Sequence, residues 1–275
     1  MIISDTHGFV FVHIPKCGGT SVRSALARYD DRAEQYYDKG RATHPVLGDL
    51  DHHHIPLSVL RENFPEDFEC VKRYTSFAIV RDPFERFPSS VFQRLRATNA
   101  EKLSSEDVRA EVDAVIGRLL ALSPGEPVLE PDLIHFSRQQ DYVSLDGNRI
   151  VDNVFALNGI PELISAVSGL TGEIISPVQR ENERLRFSNA LLASADRWVQ
   201  ARIMNNLPRR VWKPVFTLAK GGLMRTGVLK RSNDWHGAVF QSEDVQRFIR
   251  EFYANDISLF SECCAKSKDG LGIQK

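Results

Sequence analysis

Apolar positions along this chain follow two alternating rhythms. Phe9-Val10-Phe11-Val12 is an unbroken apolar run, as expected of a strand buried on both faces, and it stops at Pro15. Past a turn through Lys16, Cys17, Gly18 and Gly19 the spacing changes, and Val22, Ala25, Leu26 and Tyr29 fall on one side of a helix. Tyr74 to Val80 reads as a second strand ending at Arg81-Asp82-Pro83. Pro83 suits the first turn of a helix that carries Phe84 to Leu95, with Asp82 as its cap. Between these units, Asp30 to Gly48 is polar and reads as loop with a short helix, and Leu57 to Phe64 as a short helix ended by Pro65. Val108, Val112, Val115, Ile116 and Leu119 stripe an amphipathic helix within 101–122, which Ser123-Pro124-Gly125-Glu126-Pro127 breaks. Asp146-Gly147 turns a hairpin inside Asp141–Val151, Val151 to Leu157 is a strand, and Pro161 to Thr171 is a helix ended near Gly172. Ser242 to Phe260 reads as one last helix with Val245, Phe248, Ile249, Phe252, Ile257 and Phe260 apolar.

Strands alternating with helices predict an α/β fold: a P-loop-like single domain, residues 1–275, with a central mostly parallel sheet flanked by helices. Lys plus Arg, 35, balances Asp plus Glu, 36, so whole-chain charge gives no support for nucleic acid as a partner, and an anionic substrate needs a local patch. No apolar run approaches the ~20 residues of a membrane span, and Met1-Ile2-Ile3-Ser4-Asp5 lacks the basic start and apolar core of a signal peptide. The four cysteines, Cys17, Cys70, Cys263 and Cys264, match no zinc spacing and read as reduced thiols, so a cytoplasmic location is expected. The basic piece from Arg209 to Arg231 suits an acidic polymer, a peripheral membrane contact or a solvated face equally well.

The first strand, its glycine turn and the following helix form an anion cradle in sequence. The glycines allow close backbone approach, the first helical N–H groups point at the anion, Thr20 and Ser21 add hydroxyl donors, and Lys16 adds a mobile charge. Lys16 precedes Gly18-Gly19, whereas a Walker loop places its lysine after the glycines, so this is not a standard ATPase or GTPase turn. A lysine on the strand side can reach toward the terminal group of a nucleotide whose 5′-phosphate rests on the turn. The second strand-to-helix junction offers another grip: Arg81 can fork onto a phosphate, and Ser89 and Arg86 follow on the helix. Pairing of Arg81 with Asp82 or Glu85 is the competing reading.

Together these junctions resemble the sulfotransferases that use 3′-phosphoadenosine 5′-phosphosulfate, and among them the carbohydrate 2-O-sulfotransferase-like group, sulfotransferase family 2. His13-Ile14-Pro15-Lys16-Cys17-Gly18-Gly19-Thr20-Ser21 is similar to the family's 5′-phosphosulfate loop, and Arg81-Asp82-Pro83-Phe84-Glu85-Arg86-Phe87-Pro88-Ser89 to its 3′-phosphate motif. His135-Phe136 through Gln139 to Tyr142 resembles a mid-chain HF-x-x-Q-x-x-Y segment, and Tyr253 to Phe260 the C-terminal helix. Pro88 departs from the family pattern just before Ser89.

The resemblance implies that Pro15, Lys16, Cys17, Gly18, Gly19, Thr20 and Ser21 hold the 5′ side of that donor and that Arg81 and Ser89 hold its 3′-phosphate. Lys16 would stabilise the bridging oxygen as the bisphosphate leaves, and because a sulfonate monoanion needs less metal help than a phosphate chain, no metal is expected. His54, with His52 as accessory, would be the base for an acceptor hydroxyl, a carbohydrate or glycoconjugate by resemblance to the group. His135 and Arg138 are candidates for binding that acceptor, and 189–234 for an acceptor-specific insertion. For Asp51-His52-His53-His54 as residues alone, a catalytic base, an inert loop and a metal site all stay open. Two other classes remain beside the sulfotransferase: a small-molecule kinase, and a non-catalytic nucleotide- or glycan-binding module.

Overall fold

A computed structural model describes residues 1–97, 104–123, 125–176, 185–187, 229–231 and 237–269. Two compact units are present: Met1–Gln179 with Ala238–Lys275, and Arg180–Gly237. In the smaller unit only the antiparallel pair Leu185–Phe187 and Leu229–Arg231 is described, so the insertion expected at 189–234 and most of the basic piece lie outside the described residues.

The larger unit is built on a four-stranded sheet in the order β1 (Ile2–Ser4), β2 (Phe9–Val12), β5 (Thr75–Val80), β8 (Asn153–Ala156). β1 runs antiparallel to β2, while β2, β5 and β8 are parallel. The all-apolar composition of β2 follows from burial on both faces, Phe9, Val10, Phe11 and Val12 being at most 1% exposed. Register decides the rest. Val12 lies beside Ala78, so the turns leaving β2 and β5 emerge next to each other at the carboxyl edge of the sheet. In an open parallel sheet that edge is where ligands bind.

The helices follow the predicted pattern closely. α1 is Gly19–Leu26, α2 Leu57–Asn63, α3 Pro65–Arg73, α4 Pro83–Ala97, α5 Ser105–Leu120 and α6 Ile160–Thr171. α3 packs on β2 and β5, and α6 on β8. Beside the sheet core lies a second apolar cluster, where Phe87, Val91 and Leu95 of α4 meet Val108, Val112, Val115 and Leu119 of α5. Local chemistry marks the ends. Ser104 and Asp107 form a capping box on α5, Asp82 Oδ1 accepts from the Phe84 N–H at 2.9 Å to cap α4, and α6 ends at Gly172 with φ 71°. The hairpin turns at Asp146 (φ 51°) and Gly147 (φ 79°), as Asp-Gly predicts. α4 continues through Pro88, an interior position where the proline removes one main-chain donor from the helix.

Three expectations are corrected. The polar stretch before the histidines is more than loop and a short helix, because Arg41–His44 (β3) pairs with Gly48–Asp51 (β4) as a surface hairpin. Its half-exposed strands lack the apolar run that betrays a core strand. Pro65 does end α2, but it also occupies the first position of α3, where its fixed φ is suited to a new helix. The last helix is two, α7 (Glu243–Phe252) and α8 (Ala254–Asp269). Tyr253 breaks it because its buried hydroxyl is drawn to the Phe136 carbonyl at 2.7 Å.

Arg86 of α4 joins these parts from within. It is 1% exposed, donating from Nε to the Pro15 carbonyl (3.0 Å) and from Nη2 to the Ser137 carbonyl (2.6 Å). Its guanidinium is therefore an internal tie rather than a third phosphate donor. Each orphaned buried acceptor costs about 1–3 kcal/mol. Arg86→Leu is accordingly expected to lower the unfolding free energy by roughly 2–5 kcal/mol in urea titration, and a loss under roughly 1 kcal/mol would show that Arg86 does not carry the join.

Candidate active site

The β2–α1 turn has the geometry of a cradle. Lys16 takes φ 65° and Gly18 φ 77°, two left-handed positions that fold the chain back on itself and orient successive main-chain N–H groups. Neither glycine is replaceable without cost. A Cβ on Gly18 would stand 2.6 Å from Leu157 Cδ1, and one on Gly19 2.0 Å from His13 Cδ2. α1 follows its N-cap Gly18 with no side-chain cap and no acidic residue in its own first turn, where the helix dipole favours an anion. Thr20 is exposed and Ser21 half-buried on that first turn. Cys17 is buried, its thiol held by the Pro15 carbonyl (3.4 Å) and Gln139 Oε1 (3.1 Å). Burial pushes its pKa up to about 11, which leaves it a packing residue rather than a nucleophile.

The β5–α4 turn lies beside it. Arg81 pairs with Glu85 at 3.1 Å on the solvent side, and Ser89 is buried on α4. Gln139 bridges the two turns. Its Oε1 accepts from the Arg81 N–H (2.8 Å) as well as from Cys17, and its Nε2 donates to the Arg81 carbonyl (2.9 Å).

A chain of polar side chains then runs from Lys16. The Lys16 ammonium donates to Gln93 Oε1, which leaves the Gln93 amide nitrogen to donate to His135 Nε2 at 3.3 Å. The His135 ring stands edge-on to His54 with centroids 5.7 Å apart, and His54 lies 4.4 Å from His13. His54 Nδ1 is 3.0 Å from the His13 carbonyl. A carbonyl only accepts, so Nδ1 carries the proton and Nε2 keeps its lone pair. Burial pulls His54 down to about 3 and His135 to about 4, the latter helped by nearby Lys16, so both rings are neutral at pH 7.

The adjacent histidines diverge. His53 donates its main-chain N–H to Asp51 Oδ1 (2.9 Å), and its ring meets the Tyr37 carbonyl (3.0 Å). Burial works against the Asp51 carboxylate, but the His53 hydrogen bonds hold it well below the ordinary range. Asp51 thus orients His53. His52 is wholly buried against Phe64, neither ring nitrogen has a partner, and burial lowers it to about 4. No group of three His, Cys, Asp or Glu side chains among the described residues could hold a metal ion.

Of the residues singled out in the sequence, Lys16, His54 and His135 come together in one line, and the glycine turn and Arg81 stand at its head. Arg138 lies apart from that line, stacked over Phe252 (4.6 Å) with its Nη1 reaching the Glu126 carbonyl (3.4 Å). Gln93 was missed. Its only signal was position, one helical turn after Ser89 on the same face of α4.

Residues 1–112 match the model described as Sulfotransferase family. That segment holds both turns and the histidine cluster, and over it the chain is similar to the sulfotransferases. Sulfuryl transfer is the general chemistry this match supports. No curated protein and no solved structure matches the chain. Among the described residues no helix is long and apolar enough to cross a membrane.

The buried neutral histidines set an acid limit. Unfolded, they protonate below about 6.5, while folded they stay neutral until about 3 to 4. The unfolded state then binds more protons in that window, and stability falls as pH drops through it and is constant above it. The urea midpoint is expected to fall between pH 7 and pH 4.5, and to fall less in His52→Phe. An equal fall in that variant would remove His52 from the account.

Proposed function

We propose that this chain moves a sulfuryl group from 3′-phosphoadenosine 5′-phosphosulfate to a hydroxyl of a carbohydrate or glycoconjugate. One observation carries the reading: two turns of the kind that grip phosphates leave neighbouring parallel strands, and Gln139 spans them. A nucleotide phosphorylated at both 3′ and 5′ positions needs two such grips, whereas ATP needs one longer one.

In this reading Gly18, Gly19, Thr20 and Ser21 hold the 5′-phosphate with main-chain and hydroxyl donors, Pro15 and Cys17 shape the turn, and Arg81 and Ser89 take the 3′-phosphate. Arg81 exchanges Glu85 for the ligand, a solvated ion pair worth little against a bidentate phosphate contact. Lys16, resting on Gln93, stabilises negative charge on the leaving bridge oxygen. His54 takes the acceptor proton at Nε2, the nitrogen its bond to the His13 carbonyl leaves bare. His135 borders that line and faces the acceptor. His52, sealed against Phe64, supports the loop instead. The S–O bond to the donor bridge breaks as the acceptor oxygen forms its own bond to sulfur. The acceptor proton goes to His54, and adenosine 3′,5′-bisphosphate leaves.

Calorimetry is expected to show adenosine 3′,5′-bisphosphate binding in preference to ATP, and the reverse order favours the kinase reading. Labelled donor incubated with pooled glycans, lipids and phenols should yield a labelled glycan, whereas a binding module yields no product. Lys16→Ala should lower kcat by roughly 10²–10³-fold with little change in bisphosphate affinity, and equal loss of both would remove Lys16 from the leaving group. His54→Asn should lower kcat by roughly 10²–10⁴-fold with donor binding kept, and a near-normal rate would move the base to another histidine.

A further inference from the structure

We infer that Gln139 is a positioning residue that couples the two phosphate grips, so that the spacing between them is set before the donor arrives. The inference rests on the donor reading above and adds the element that makes two grips into one site. Gln139 is fully buried, and its one side-chain amide serves both turns. Oε1 accepts from the Arg81 N–H at 2.8 Å and from the Cys17 thiol at 3.1 Å, while Nε2 donates to the Arg81 carbonyl at 2.9 Å. Both main-chain groups of Arg81 are thereby satisfied, as a neighbouring strand would satisfy them, one residue beyond the end of β5.

Only an amide of this length supplies an acceptor and a donor to the same residue. Glutamate would lose the donor, and methionine would lose both. The amide is itself anchored: the Gln139 main-chain N–H donates to Asp256 Oδ2 (2.8 Å) and the Gln140 N–H to Asp256 Oδ1 (2.9 Å), from the fully buried Asp256 of α8. The C-terminal helix thus reaches the donor turns through one side chain. A fixed separation lets the second phosphate bind without a further ordering cost, which is the physical content of the coupling.

Binding of adenosine 5′-phosphate and of adenosine 3′,5′-bisphosphate is measured by calorimetry in the full chain, and their Kd ratio is taken. In the wild type the bisphosphate should bind at least roughly 10-fold tighter. In Gln139→Glu and Gln139→Met that advantage should shrink by roughly 5- to 30-fold, with monophosphate affinity little changed. A residue that merely stabilised the fold would weaken both nucleotides alike and leave the ratio intact. A wild type with no bisphosphate advantage overturns the donor reading itself. A wild-type advantage that persists undiminished in folded Gln139 variants overturns the coupling alone. Should both variants fail to fold, Cys17→Ala and Asp256→Asn read the same ratio, and no change in either overturns the coupling.

Discussion

The structure depends on a buried polar join between two strand ends. β2 and β5 are parallel neighbours, so their exits lie side by side, but neighbouring exits do not by themselves make a site. What fixes them is a small set of fully buried donors and acceptors. Arg86 donates to the Pro15 and Ser137 carbonyls, and Gln139 closes both main-chain groups of Arg81 while taking the Cys17 thiol. In a dry interior such bonds are strong, and their loss exposes no water to replace them. The surface of the turns is left to Lys16, Thr20, Ser21 and the Arg81 guanidinium, while the interior holds their spacing.

This division explains why the two arginines of one motif differ so much. Arg81 is partly exposed and paired with a solvated glutamate it can release. Arg86, five residues later on the inner face of α4, is committed to main-chain carbonyls. Charge alone did not separate them in the sequence. Their place relative to the sheet did.

Much of the fold was legible because core strands and amphipathic helices advertise themselves by spacing. β2, β5, α4, α5, α6 and the Asp146-Gly147 hairpin all come from residue pattern or turn chemistry. The β3–β4 hairpin was hidden because a two-stranded surface ribbon of polar residues carries no burial pattern. The break at Tyr253 was hidden because its cause is a hydrogen bond to Phe136, 117 residues away. The site divides likewise. The glycine turn is local and was readable, as was the helix cap at Asp82. Gln139 bonds residues 58 and 122 positions distant, and Gln93 reaches Lys16 across 77. Such bridges become visible only when the sheet order is known. The three consecutive histidines illustrate the same limit, since one backbone stretch sends His52 to Phe64, His53 to Tyr37 and Asp51, and His54 to His13.

The central claim is that the Lys16 turn and the Arg81 turn grip opposite ends of one bisphosphorylated adenosine. A crystal structure with adenosine 3′,5′-bisphosphate tests it most directly. The account predicts the 5′-phosphate on the Gly18–Ser21 turn, the 3′-phosphate on Arg81 and Ser89, and the Arg81–Glu85 pair opened. A nucleotide bound elsewhere, or held at one turn with its other phosphate in solvent, would contradict it.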